Sequence, residues 1–269
     1  MKKLYFLIRI PKSGSTTMRD MVEGALPDSR NFRLPLLASD SGVGITFYDR
    51  LRRRRRTLKG FWKGYRTFRE AVVWQTISQR AKEGDIISGH LRYGSPQLPA
   101  WDLQCITLLR DPVERLVSDY HYSQKGYQKR SFLQRSYNKG VLHVAGTRTL
   151  SDYIHYLHEH RQVFGNPATS YVVGSNTEED PFEFMRRNYF HFGVLEELEV
   201  FSTQLAQKLN RPVAVIWSNK TRRTGDQPLS PSDKSLLEEL LDKDIALYQK
   251  TVDFIRAGKA AQPAMGREV

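Results

Sequence analysis

A single cysteine in 269 residues, Cys105, excludes an internal disulfide framework, and its setting in LQCITLL marks a buried structural thiol rather than a nucleophile. A reducing, cytoplasmic compartment fits that usage. Long hydrophobic runs are also missing. The opening LYFLIRI is too short to cross a bilayer and Arg9 interrupts it, so no membrane span is expected. No internal repeat is visible, and His121, His143, His155, His158, His160 and His191 show no spacing suited to a metal site. Acidic residues are scarce: 29 Asp and Glu face 42 Lys and Arg, and the net charge of +13 favours an anionic partner such as a nucleic acid, an anionic lipid, a charged glycan or a nucleotide. What is present suffices for a core. With 39% hydrophobic residues, the chain can build one substantial α/β domain over residues 1–269.

The nucleotide loop G-x-x-x-x-G-K-[ST] is missing too, yet IRIPKSGSTTMRDM at 8–21 resembles it with the ending changed. Lys12 comes early, and Gly14 is followed by Ser15, Thr16 and Thr17. Residues 4–10 read as a strand and 15–25 as a helix, with Met18, Met21, Val22 and Ala25 on one face. A strand that turns abruptly into a helix offers backbone N–H groups and the positive end of the helix dipole to a phosphate. Gly14 allows close approach, the hydroxyls add donors, and Lys12 can reach a group attached beyond that phosphate. A capped surface turn would need less than this.

Further along, DIISGH and LQCITLLR read as strands, and DPVERLVSDYHY as a helix capped by Asp111 with Pro112 in its first turn. Arg110 at the strand end and Ser118 two turns into the helix can grip one phosphate from two sides. Between them, strands and long helical connections predict a central parallel sheet flanked by helices. A basic insertion at about 45–84, containing the run Arg52 to Arg56, is expected to be mostly helical, and about 123–150 to be a mobile loop. Helices are expected near 151–160 and 181–188, then the strand YFHFGVL, the helix EELEVFSTQLAQKL and a last strand VAVIW. LSPSDKSLLEELLDKDIALYQKTVDFI, with Ser230, Pro231 and Asp233 at its start, reads as the closing helix.

IPKSGSTTM and LLRDPVERLVSDYHY resemble, in order and separation, the two nucleotide-binding motifs of sulfotransferases that use 3′-phosphoadenosine 5′-phosphosulfate (PAPS), and are most similar to the uronosyl 2-O-sulfotransferase branch that acts on carbohydrates. GVLEELEVF is similar to the family's G-x-x-E step. The resemblance implies a P-loop-like sulfotransferase fold in which Lys12, Ser13, Gly14, Ser15, Thr16 and Thr17 hold the 5′-phosphosulfate and Arg110 and Ser118 the 3′-phosphate. It also implies that no metal is required, because Lys12 can neutralise charge building on the bridging oxygen. His90, in SGHLRYG, stands where the family has its base in G-H-x-x-Y, and an imidazole titrating near pH 6.5, by order of magnitude, suits that task. Where the branch has a second histidine, two positions earlier, this chain has Ser88. Lys220 and Thr221 fall where related enzymes close a loop over the nucleotide, and Arg92 and Tyr93 could orient an anionic acceptor.

The expectation is therefore an O-sulfotransferase working by in-line displacement onto a hydroxyl of a carbohydrate or, alternatively, of a small natural product. A nucleotide kinase or NTPase would require magnesium and the missing G-K-[ST]. A nucleic-acid-binding protein would explain the charge and leave the loop and His90 without a task, so no nucleic-acid partner is expected.

Overall fold

The computed structural model describes residues 1–34, 43–48, 66–68, 70–137, 140–215 and 229–261. Five strands form the parallel part of the sheet: β1 (Lys2–Ile8), β2 (Asn31–Leu34), β5 (Ile86–Gly89), β6 (Trp101–Leu109) and β7 (Tyr189–Val194). β3 (Val43–Tyr48) and β4 (Arg66–Phe68) extend it antiparallel beyond β2, giving the order β4-β3-β2-β5-β1-β6-β7. In the stretch 45–84, expected to be mostly helical, residues 45–48 and 66–68 are instead strand, and 49–65 lie outside the described residues. VGITFY and RTF are β-branched or aromatic stretches that find a sheet edge, and only Glu70–Arg80 (α2) is helical among the described residues of that region.

Central strands read as continuous apolar runs because both faces are covered. Leu4, Phe6 and Ile8 of β1 point into one core with Phe32, Ile87, Val172 and Met185, whereas Leu7 joins Met18, Met21 and Val22 of α1 (Ser15–Ala25) on the other side. The alternation along β1 thus divides its side chains between two helical layers. β6 leads into α3 (Pro112–Gln128), where Asp111 accepts from the Glu114 amide and Pro112 occupies the first turn, as its sequence dictates.

The segment expected as a loop is helical. α3 runs on to Gln128 and is followed by α4 (Phe132–Tyr137) and α5 (Val141–Thr147). Tertiary contacts hold α5: the Tyr120 hydroxyl donates to Arg148 O at 2.8 Å, and Tyr127 Oη lies 3.1 Å from His143 Nδ1. α6 (Leu150–Glu159), α7 (Arg161–Phe164), α8 (Pro167–Val173) and α9 (Pro181–Asn188) lead to β7, and α10 (Leu198–Leu209) follows it.

VAVIW does not add a strand in its described part. Val213–Val215 lie outside the sheet after Asn210 ends α10 in the left-handed region, with Val213 O accepting from Ser202 Oγ at 2.8 Å. The expected closing helix is two helices, α11 (Pro231–Leu240) and α12 (Asp242–Ala261), broken at Leu241. Asn166 starts α12 from outside, its Oδ1 accepting from the Lys243 and Asp244 amides at 3.0 Å each. Among the described residues no helix is long and apolar enough to cross a membrane.

Candidate active site

Parallel strands place the ends of β1, β5, β6 and β7 along one edge of the sheet, where α/β proteins bind ligands. Register makes this specific. Ile8 pairs with Gly89 and with Thr107, so the residues that follow, Arg9, His90 and the loop to Arg110, emerge side by side. Arg9 N donates to Gly89 O at 3.0 Å, and Thr107 Oγ1 donates to Ile8 O at 3.0 Å, which ties the three strand ends together.

The turn from β1 into α1 is sharp. Lys12 and Gly14 both adopt left-handed backbone, with φ of 65° and 70°. Glycine is required at 14 on a second count: a Cβ there would lie 2.6 Å from Leu195 Cδ1. Leu195 begins the 3-10 turn Leu195–Glu197, the G-x-x-E step, so that step packs against the loop. Glu196 of the same step accepts from the Asp111 amide at 3.2 Å, joining β7 to the start of α3. No side chain caps α1 and no acid stands in its first turn. Its positive end therefore faces the ligand edge unneutralised. Ser13, Ser15 and Thr17 are buried and Thr16 is half-exposed, and Ser13 Oγ has no hydrogen-bond partner among the described residues. A buried hydroxyl without a partner beside an uncapped helix start is a cradle suited to an anionic oxygen.

Arg110 joins the two motifs directly. Its Nη1 donates to Lys12 O at 3.2 Å, and its Nη2 lies 3.4 Å from Glu114 Oε2. Ser118 lies half-exposed two turns into α3. The Lys12 ammonium sits over the Tyr122 ring, 3.8 Å from its centroid. Burial pushes the Lys12 pKa down, Asp119 opposes that, and Arg110 and Lys125 add to it.

His90 Nδ1 is 2.5 Å from Arg9 O. A carbonyl can only accept, so Nδ1 carries the hydrogen and Nε2 keeps the lone pair a base needs. Burial pushes the His90 pKa down, with Arg9 and Lys12 adding to it and the hydrogen bond to Arg9 O opposing. The imidazole is thus neutral at neutral pH.

Ser88 is fully buried and donates to Asn31 Oδ1 at 2.9 Å, which opens a polar chain away from the base. Asn31 Nδ2 donates to Glu23 Oε1 at 2.5 Å, and Arg33 Nη2 reaches both oxygens of Glu23, at 2.6 and 2.7 Å. Arg9 adjoins this cluster. Sequence reasoning treated Arg9 only as an interruption of an apolar run. Its Nε is buried with no hydrogen-bond partner among the described residues, and burial, with Arg19 and Arg33 nearby, pushes its pKa down to about 10, while Asp20 and Glu23 oppose the shift.

Arg92 is exposed, whereas the Tyr93 ring packs edge-on to Phe184 at 4.8 Å and stacks on Tyr189 at 5.7 Å, giving Tyr93 a place in the core. Lys220 and Thr221, with the rest of 219–223, and the run Arg52 to Arg56 lie outside the described residues. Cys105 is buried, and burial pushes its thiol up to about 12, as its apolar setting implies. Among the described residues no three His, Cys, Asp or Glu side chains gather as metal ligands do.

A profile of the sulfotransferase domain matches residues 3–208, the stretch that carries the loop, His90, Arg110 and α3. The chain belongs to the sulfotransferase domain family and is a sulfotransferase enzyme. That match is to the broad domain and does not select the uronosyl 2-O branch. Of solved structures, mouse sulfotransferase SULT7A1 complexed with PAP is 14% identical, with 97% of this chain and 90% of that chain covered and a TM-score of 0.49. A sulfotransferase from Alicyclobacillus acidocaldarius is 12% identical, with 98% of each chain covered and a TM-score of 0.37. No curated protein matches the sequence.

Proposed function

We propose that this sulfotransferase moves the sulfuryl group of PAPS onto a hydroxyl of an anionic acceptor, most simply a carbohydrate bearing carboxylate or sulfate groups. The observation that carries the reading is the meeting of three strand ends. A neutral His90 with Nε2 free, Lys12 on a left-handed loop and Arg110 bonded to that loop share one edge of the sheet.

The uncapped start of α1, with a Ser13 hydroxyl that has no partner among the described residues, fits the donor's 5′-phosphosulfate, and Arg110 and Ser118 on the neighbouring motif fit its 3′-phosphate. When bound, the donor supplies an activated sulfuryl group on a phosphate leaving group. The chain's own residues supply the rest. His90 Nε2 takes the proton from the acceptor hydroxyl. Lys12 presents its ammonium where negative charge grows on the bridging oxygen, an interaction stronger in the transition state than before it. Fixed amides, hydroxyls and cations do this without reorganising during the reaction.

Arg9 favours an anionic acceptor. A half-buried guanidinium whose Nε lacks a partner among the described residues, on the same residue whose carbonyl accepts the His90 hydrogen bond, gains most from a carboxylate or sulfate brought by the substrate. Arg92, exposed two residues after His90, supports the same reading.

The test is release of 3′-phosphoadenosine 5′-phosphate (PAP) from PAPS across acidic oligosaccharides, neutral oligosaccharides and neutral phenols. Release should depend on the acidic acceptors and vanish in His90→Ala. In Arg9→Met the preference for acidic over neutral acceptors should collapse. Equal use of neutral phenols by the unaltered enzyme would overturn the acceptor class and leave the donor chemistry standing.

A further inference from the structure

Lys12 has a four-carbon stem with about 2 kcal/mol of rotamer entropy to lose when its ammonium is fixed. Its backbone is already held by the left-handed turn and by Arg110 Nη1 on its carbonyl. The end of the side chain needs its own restraint, because Arg110 and Lys125 both repel it. A carboxylate could supply one, but a direct ion pair would cancel the positive charge required at the bridging oxygen. Asp119 attracts Lys12 without forming an ion pair with it, and its Oδ2 accepts from the Tyr153 hydroxyl at 3.1 Å.

An aromatic face solves this differently. It attracts a cation through the ring quadrupole and leaves the charge undiminished. Tyr122 stands one turn after Ser118 on the same face of α3, and its ring centroid is 3.8 Å from Lys12 Nζ. It is 65% exposed, so packing into the core does not explain an aromatic residue at this point. We propose that Tyr122 is a positioning residue for Lys12, its ring face holding the ammonium over the loop where the donor's phosphosulfate binds. The inference rests on the donor site proposed above. It makes α3 contribute to both ends of the nucleotide: Ser118 to the 3′-phosphate, and Tyr122, through Lys12, to the reacting end.

Tyr122→Phe keeps the ring face, whereas Tyr122→Leu keeps apolar bulk without it, and the exposure of the site leaves folding intact in both. The first readout needs no ligand. With lysine labelled at Cε, the Lys12 methylene should show an upfield ring-current shift in the unaltered protein and in Tyr122→Phe, and lose it in Tyr122→Leu. The second is affinity for PAP by calorimetry together with the rate of PAP release. Both should hold in Tyr122→Phe and fall about two- to fivefold in Tyr122→Leu, the worth of an exposed cation–π contact. An unmoved Lys12 resonance in the Leu variant would overturn the proposal, as would unchanged affinity and release. If the unaltered protein fails to bind PAP, the donor site itself is wrong, and the resonance still decides whether Tyr122 holds Lys12.

Discussion

At the residue scale, the proposed reaction sets His90 and Lys12 opposite requirements, a lone pair and a positive charge, at one edge of the sheet. Arg9 O fixes the imidazole tautomer of His90, and Arg110, bonded to Lys12 O, fixes the backbone from which the Lys12 ammonium projects. Replacing His90 by Ala should lower turnover about a hundred- to ten-thousand-fold, the range for a lost general base. Because the His90 pKa lies below the ordinary value of about 6.5, the deprotonated form survives into mild acid. The acid limb of turnover against pH should therefore have its midpoint below that value, and a midpoint above it would contradict the buried, neutral imidazole. Lys12→Ala should cost about a hundred- to a thousandfold in turnover, more than it costs in donor affinity, because the ammonium acts most strongly on charge that grows in the transition state.

At the scale of elements, the turn between β1 and α1 depends on Gly14. In Gly14→Ala a left-handed alanine and the clash with Leu195 should destabilise the fold by roughly 1–3 kcal/mol and weaken donor binding, both measurable by denaturant titration and calorimetry. β7 and α10 are joined by a buried histidine, His191, whose Nε2 is 2.9 Å from Phe201 O. Burial pushes its pKa down to about 4. Between that value and about 6.5 the unfolded chain binds the extra proton, so stability rises with pH and is lost as pH falls through this window. The loss attributable to His191 approaches roughly 3 kcal/mol at the lower end. Denaturant titrations at pH 7 and pH 4.5, by order of magnitude the two ends of the window, should differ by less in His191→Gln.

β1, β5 and β6 were legible because unbroken apolar runs stop at glycine, histidine or arginine, α1 because Met18, Met21, Val22 and Ala25 share one face, and the start of α3 because Asp111 caps it ahead of Pro112. β3 and β4 were not, because three- to six-residue strands form only when β2 offers β3 a partner and β3 in turn offers one to β4, and the basic residues around them suggest a solvated helix. α5 was hidden for a similar reason: its order comes from Tyr120 and Tyr127 on another helix. In the site, motif residues showed in the sequence through their spacing. Arg9 and Tyr122 did not, since a strand-end cation and a surface tyrosine gain meaning only from what the sheet register and α3 bring beside them.

Taken as a whole, the molecule carries a charge of +13, which should draw any polyanion at low salt. Long-range attraction and a specific donor site differ in what removes them. Binding of nucleic acid through surface charge should fall steeply with salt and survive Lys12→Ala, whereas donor binding should depend on Lys12 at every salt concentration. The most direct measurement is calorimetric titration of PAP, without magnesium, into the unaltered protein and Arg110→Ala, with ATP as the control ligand. The sulfuryl-donor site predicts tight PAP binding that the variant loses, with ATP weak. A folded protein that binds no PAP, or binds ATP as tightly, would contradict it.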